Sequence, residues 1–109
     1  SRMVAVVDCG AVVNPALVRQ QVEGGLIAGL AQATAPAPSF RHGRVLGPER
    51  PLAPALRGTP EILVEILASS AAPGGVNGLG PAVAPAAVGN ALAAAIGRRL
   101  RSLPIDPMS

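Results

Sequence analysis

Residues 3–33, MVAVVDCGAVVNPALVRQQVEGGLIAGLAQA, decide how the chain folds. Residues 3–8 are a short β-branched run closed by Cys9-Gly10, the pattern of a buried strand. Asn14-Pro15 then starts a helix: the Asn side chain can accept from free backbone donors, and proline is tolerated in the first turn. From Pro15 to about Ala33 the apolar residues Val18, Val22, Leu26 and Leu30 recur every four positions and mark one helix face. That helix carries Gly24, Gly25 and Gly29, each about 1 kcal/mol worse than alanine in a helix interior. The expected reason is close approach of another backbone, with approach of a ligand as the alternative. Gln21 lies one turn before Gly25 and borders the same small-residue surface.

Beyond this stretch the chain is proline-rich up to Pro60, with residues 40–47 (FRHGRVLG) reading as a short hairpin. His42 is expected in its turn, exposed, because no second histidine exists to join it as a metal ligand. Residues 61–67, EILVEIL, read as a strand, which puts Glu61 and Glu65 on one solvent-facing side. Residues 73–81, PGGVNGLGP, place four glycines just before an alanine-rich helix expected over residues 81–96, with Gly97 as its cap. The order β-α-β-β-α predicts an α+β domain, a small mixed sheet with two helices on one face.

At 109 residues the chain is one domain. Phe40 is its sole aromatic residue, so the core is built from Ala, Val, Leu and Ile and is only modestly stable alone. The positive charges are all arginine and exceed the carboxylates by three. Without cation clusters interleaved with aromatics, nucleic-acid binding is not expected. Arg98, Arg99 and Arg101 are read as charges at a helix end. Cys9 stands alone, so neither an internal disulfide nor a cysteine zinc site is available. The opening residues lack a signal-peptide pattern, and residues 82–96 are broken by Pro85, Gly89 and Asn90 and fall short of the roughly 20 residues of a bilayer span. A soluble chain without a membrane span is therefore expected, the cytoplasm being favoured.

The chemistry on offer is thin. A glycine-rich turn entering a helix presents backbone N–H groups, which suit an anion. No Gly-Lys-Ser/Thr follows, and the order Gly75-x-x-Gly78-x-Gly80 differs from the dinucleotide fingerprint. Asp8, Glu23, Glu49, Glu61, Glu65 and Asp106 are scattered, with no nucleophile–histidine–acid arrangement among them. Asp8 is expected to accept backbone hydrogen bonds in the turn that follows it.

Four blocks in order, VVDCGAVVNPALVRQQVEGGLIAGL (6–30), PEILVEIL (60–67), PGGVNGLG (73–80) and NALAAAIGRRLRSLPI (90–105), resemble the C-terminal end of the large subunit of molybdenum hydroxylases. Within the xanthine dehydrogenase and aldehyde oxidase family, the nearest branch is the isoquinoline 1-oxidoreductase beta-subunit type. The resemblance covers nearly the whole chain outside residues 35–58. It implies a molybdopterin-binding module, residues 1–109, that hydroxylates aldehydes or N-heterocycles only within a larger assembly. The implied partners are a larger molybdopterin-binding chain and an iron–sulfur subunit that takes the electrons.

By the same resemblance Gln21 matches a glutamine near the molybdenum centre, and Gly24, Gly25, Gly74, Gly75, Val76, Asn77 and Gly78 are expected around the cofactor. In the family the last segment typically reads Gly-Gly-Val-Gly-Glu-Pro-Gly, with the glutamate as general base. Here Asn77 stands at the glycine and Gly78 at the glutamate, so no catalytic residue is expected in this chain. That leaves a fragment of a longer subunit, a separately encoded small subunit, or a diverged non-catalytic interaction or scaffold domain. A standalone anion-binding module is a further alternative.

Overall fold

The computed structural model describes residues 1–47 and 58–106. Strand β1 (Arg2–Val7) pairs in parallel with β4 (Glu61–Ile66), Met3 opposite Ile62 and Ala5 opposite Val64. Because side chains alternate along a strand, Met3, Ala5, Val7, Ile62 and Val64 face inward, and Arg2, Val4, Val6, Glu61, Leu63 and Glu65 face outward. The exposed glutamates are where the alternation predicts. One of them, Glu61, meets Arg2 at 3.3 Å in an exposed ion pair of little energetic weight.

Helix α1 (Pro15–Thr34) crosses the inner face and returns the chain toward β4. It starts where the sequence indicates: the Asn14 side chain accepts from Leu17 N at 3.3 Å, and Pro15 occupies the first turn, where its missing N–H is no loss. Its Val22 and Leu26 are nearly inaccessible and pack with Val7, Cys9 and Ala84 as the core. These are small apolar side chains, as the composition requires.

Helix α2 (Leu79–Ile96) begins two residues before the expected start and runs unbroken through Pro85, Gly89 and Asn90. Gly97 ends it in the left-handed conformation, donating to the Ala93 carbonyl. The helix packs on α1 through a seam of small residues. A Cβ placed on Gly29 would lie 2.7 Å from that of Ala84, and one on Gly80 would fall on the backbone of Gly25 and Leu26. Gly25 and Gly29 on α1, and Gly80 and Ala84 on α2, are each one turn apart, so both helices present a flat strip to each other. Close backbone approach, the reason expected for the α1 glycines, accounts for Gly25 and Gly29. Gly24 is exposed with open space around it.

The tail folds back over this pair. Ile105 is buried, donates its N–H to the Ala33 carbonyl and reaches Gly89 of α2. Arg99 donates to the Asn90 amide oxygen at 2.7 Å, while the arginines lie beyond the last helical turn.

The predicted hairpin is β2 (Ser39–Arg41) and β3 (Arg44–Leu46), joined by His42 and Gly43, both with positive φ as a two-residue hairpin turn needs. The α+β class and its two helices stand, but the parallel and antiparallel pairings expected of one mixed sheet form two separate two-stranded sheets. The hairpin's six strand residues are all exposed, so no buried face draws it onto β1 and β4. Glu49 and the rest of residues 48–57 lie outside the described residues. The second adjustment concerns α2. As an unbroken helix it is long and apolar enough to cross a membrane by length and composition, with only a small share of it buried.

Candidate functional site

The site is organised by the chain leaving β1. Asp8 accepts from Gly10 N at 3.2 Å, the turn role expected of it, and Gly10 adopts a left-handed φ of 76°. This turn is clamped to the start of the glycine segment: Ala11 N donates to the Ala71 carbonyl at 2.9 Å and Gly74 N to the Cys9 carbonyl at 2.8 Å. A Cβ on Gly10 would run into the Ala72 carbonyl. Gly10 is therefore a close-approach glycine that sequence reasoning passed over; Cys9-Gly10 directly after a strand was its only signal.

Past the clamp, residues 75–78 turn into α2, with Gly75, Asn77 and Gly78 exposed and the Val76 side chain half-buried against the core. Gly75 and Gly78 have φ of 80° and 83°, with nothing within 4 Å of where their Cβ atoms would be. These two are glycines because the turn needs left-handed backbone, and the space beside them stays open. Among the described residues, the backbone N–H groups of Gly75, Val76, Asn77 and Gly78 donate no hydrogen bond within the chain. Gly78 caps α2 without a side chain, which leaves the positive end of the helix uncovered.

Gln21, on the α1 face before the seam, donates from Nε2 to the Asn77 amide oxygen at 3.5 Å. At that length, and exposed, the bond adds little stability. Its significance is position, because it brings together two expected site residues 56 positions apart. Gln21 keeps its own amide oxygen and a second N–H for another partner.

The expected site thus divides. Gln21, Gly75, Val76, Asn77 and Gly78 gather at one rim, with Gly74 at its base in the clamp. Gly25 lies under α2, where Pro81 Cδ would be 2.9 Å from an added Cβ, and Gly24 is exposed away from the seam. Among the described residues no acid, base or nucleophile stands at the rim, and no group of three His, Cys, Asp or Glu side chains could hold a metal ion. The arrangement can donate hydrogen bonds to a polar or anionic group. It has no side chain there to move a proton.

A second feature runs along β1: an open apolar groove of about 980 Å³ between the strand and α2, walled by Leu30, Leu79, Val83, Val88 and Leu92. Its signal in the sequence is the continuous apolar run of residues 3–7.

Residues 1–49 match the molybdopterin cofactor-binding domain family. The chain is 36% identical over 109 residues to isoquinoline 1-oxidoreductase subunit beta of Brevundimonas diminuta, the alignment covering 98% of this chain and 14% of that protein. It is 34% identical over 110 residues to the membrane-bound aldehyde dehydrogenase [pyrroloquinoline-quinone] of Gluconacetobacter polyoxogenes, covering 97% of this chain and 14% of the relative. Its fold matches the crystal structure of quinoline 2-oxidoreductase from Pseudomonas putida 86 with a TM-score of 0.71 and 28% identity, over 94% of this chain and 14% of the other. The chain therefore spans about a seventh of the length of the proteins it matches.

Proposed function

Since the chain belongs to the molybdopterin-binding family of molybdenum hydroxylases, we propose that it is the C-terminal module of such an oxidoreductase and works only as part of a larger assembly. The observation that carries the reading is the meeting of Gln21 with Asn77 at the rim of four backbone donors that are unpaired among the described residues. Such a rim fits a polar, oxygen-rich group, because the donors are fixed by the turn and by the clamp at Cys9 and need no rearrangement to receive acceptors. In this reading Gln21 and the N–H groups of residues 75–78 hold part of the molybdopterin. When bound, that group supplies a metal centre at which oxygen from water reaches an aldehyde or N-heterocycle, the electrons passing to an iron–sulfur partner. The contribution of this chain is binding and orientation.

In this reading proton transfer does not fall to residue 78, since Gly78 occupies the position at which the family resemblance puts a glutamate. Gly78 also favours a second reading, a non-catalytic relative that keeps the fold. Its φ of 83° is a conformation that disfavours any L side chain, so the turn is shaped around having none.

Native mass spectrometry with molybdenum and pterin analysis, on protein purified from its own host, separates the two. The first reading expects a large species carrying both, and a loss of most of the pterin in Gln21→Ala with the assembly intact. A metal-free small species would overturn it and leave the scaffold reading.

A further inference from the structure

We infer that the groove beside β1 receives an extended apolar strand from the remainder of the family polypeptide, added to the free edge of β1. The inference rests on the reading of this chain as a module of a larger assembly, and it assigns the surface and the kind of segment that joins there.

Four observations carry it. First, the backbone direction is settled by the ladder: Glu61 N donates to the Ser1 carbonyl and Leu67 N to the Val7 carbonyl. In a parallel pair the N–H and C=O of one residue point to the same side, so the odd-numbered residues of β1 face β4. Arg2, Val4 and Val6 therefore present their N–H and C=O groups to the open edge.

Second, a parallel pair with no further strand beside it among the described residues is out of keeping with its own chemistry. Parallel sheets are buried on both faces and read as continuous apolar runs, as residues 3–7 do, yet Val4 and Val6 are 65% and 61% exposed. Two strands are also fewer than an independent sheet needs.

Third, the helices cover more sheet than the described residues form. Two helices side by side, each about 10 Å across, roof about four strands spaced about 4.8 Å apart. α1 packs on β4, whereas α2 packs on α1 rather than on a strand. The lane beneath α2, next to β1, is the groove.

Fourth, the lane has one chemistry along its length: apolar walls, with Arg2 and Asp8 as its charged residues at opposite ends. It therefore takes a segment of roughly six residues, the length of β1, with apolar side chains toward α2. A second copy of this chain is a poor occupant, because pairing its own β1 edge-to-edge would bring a second α2 into the same lane. The matched proteins, of which this chain spans 14%, have ample polypeptide to supply such a segment.

The test is residue-resolved hydrogen exchange on the protein purified from its host with its natural polypeptide partners. The amides of Val4 and Val6 are expected to exchange at least about a hundredfold more slowly than in an open chain, as the β4-bonded amide of Ala5 does. Val4→Pro removes only the outward-pointing N–H and spares the ladder to β4, so it should cost Val6 at least about tenfold of its protection, while Val4→Thr should not. A photoreactive side chain at Val83 is expected to label one extended segment outside residues 1–109. Open-chain exchange at Val4 and Val6 beside a protected Ala5, a silent Val4→Pro, or labelling of a second copy or of lipid would each overturn the inference. Molybdenum and pterin analysis of the same sample keeps the two claims apart. A molybdenum-bearing assembly with freely exchanging Val4 and Val6 refutes the docked strand alone, whereas a metal-free small species removes the functional reading and the docked strand with it.

Discussion

Replacing Gly80 with alanine and, separately, Gly24 with alanine should move stability in opposite directions, although both are glycines in helices. At Gly80 the new methyl would fall on the Gly25 carbonyl carbon and the Leu26 nitrogen, both backbone atoms inside α1 that cannot rotate away. Relief requires the start of α2 to withdraw by about an ångström, to restore ordinary carbon contact distances. That withdrawal opens the seam where Gly29 faces Ala84 and Pro81. Overpacking of this kind costs about 1–3 kcal/mol, against which alanine recovers up to about 1 kcal/mol of helix propensity. The net expectation for Gly80→Ala is a loss of about 1–2 kcal/mol, or about 5–15 °C in Tm for a chain of this size. Gly24 has nothing within 4 Å and no positive φ, so Gly24→Ala meets no obstacle and should gain about 0.5–1 kcal/mol. Thermal unfolding followed by circular dichroism, with parent and both variants at one concentration, reads the comparison. A Gly80→Ala protein as stable as the parent would refute the close-packed seam, and with it the account of why α1 tolerates glycine.

Ile105→Ala should cost about 2–4 kcal/mol by emptying the space between the tail and Gly89, seen as a lower Tm and faster proteolysis of the last ten residues or so. Asn14→Ala removes the acceptor for Leu17 N and should cost about 1 kcal/mol in denaturant unfolding, whereas Asn14→Asp should be close to neutral. Gly78→Glu forces an L side chain into the left-handed region and should cost about 1–2 kcal/mol. In the molybdenum-bearing assembly it should leave hydroxylase turnover unraised, because the turn does not present residue 78 as it would a residue with ordinary backbone; a gain in turnover would contradict that.

The elements were legible where a single residue type has one local reason to be present. Asn14-Pro15 marked the start of α1, Gly97 the end of α2, and the alternation in residues 61–66 the outward glutamates. What the sequence could not separate was the glycines from one another. Gly24 and Gly25 are adjacent, yet about 100° of helix rotation puts one in solvent and the other under α2. Their roles depend on where α2 lands, a tertiary fact with no local signature. The division of the strands into two sheets was hidden for a similar reason: the pairing of β1 with β4 joins residues 59 positions apart, and only the packed helix between them brings the two together. The rim was half legible. The sequence offered a glycine-rich turn and, among its glutamines, Gln21 beside the small-residue surface, and the fold supplied their meeting.

The seam and the rim are mechanically one object. Gly25 sits one turn beyond Gln21 on α1, and Gly80 sits three residues beyond Asn77. The backbone contact between Gly25 and Gly80 therefore sets how near the turn that carries Asn77, just ahead of α2, comes to Gln21 on α1. A hydrogen bond as long and exposed as that between Gln21 and Asn77 could not hold these elements together by itself. Its geometry is a consequence of glycine packing, and it is where a shift of the seam is first felt. Under the proposed function the small residues would serve binding indirectly: bare backbone in the seam lets α2 come close enough for its uncovered N-terminus to stand near Gln21. A substitution that widens the seam without unfolding the chain should weaken what the rim holds before it weakens the fold.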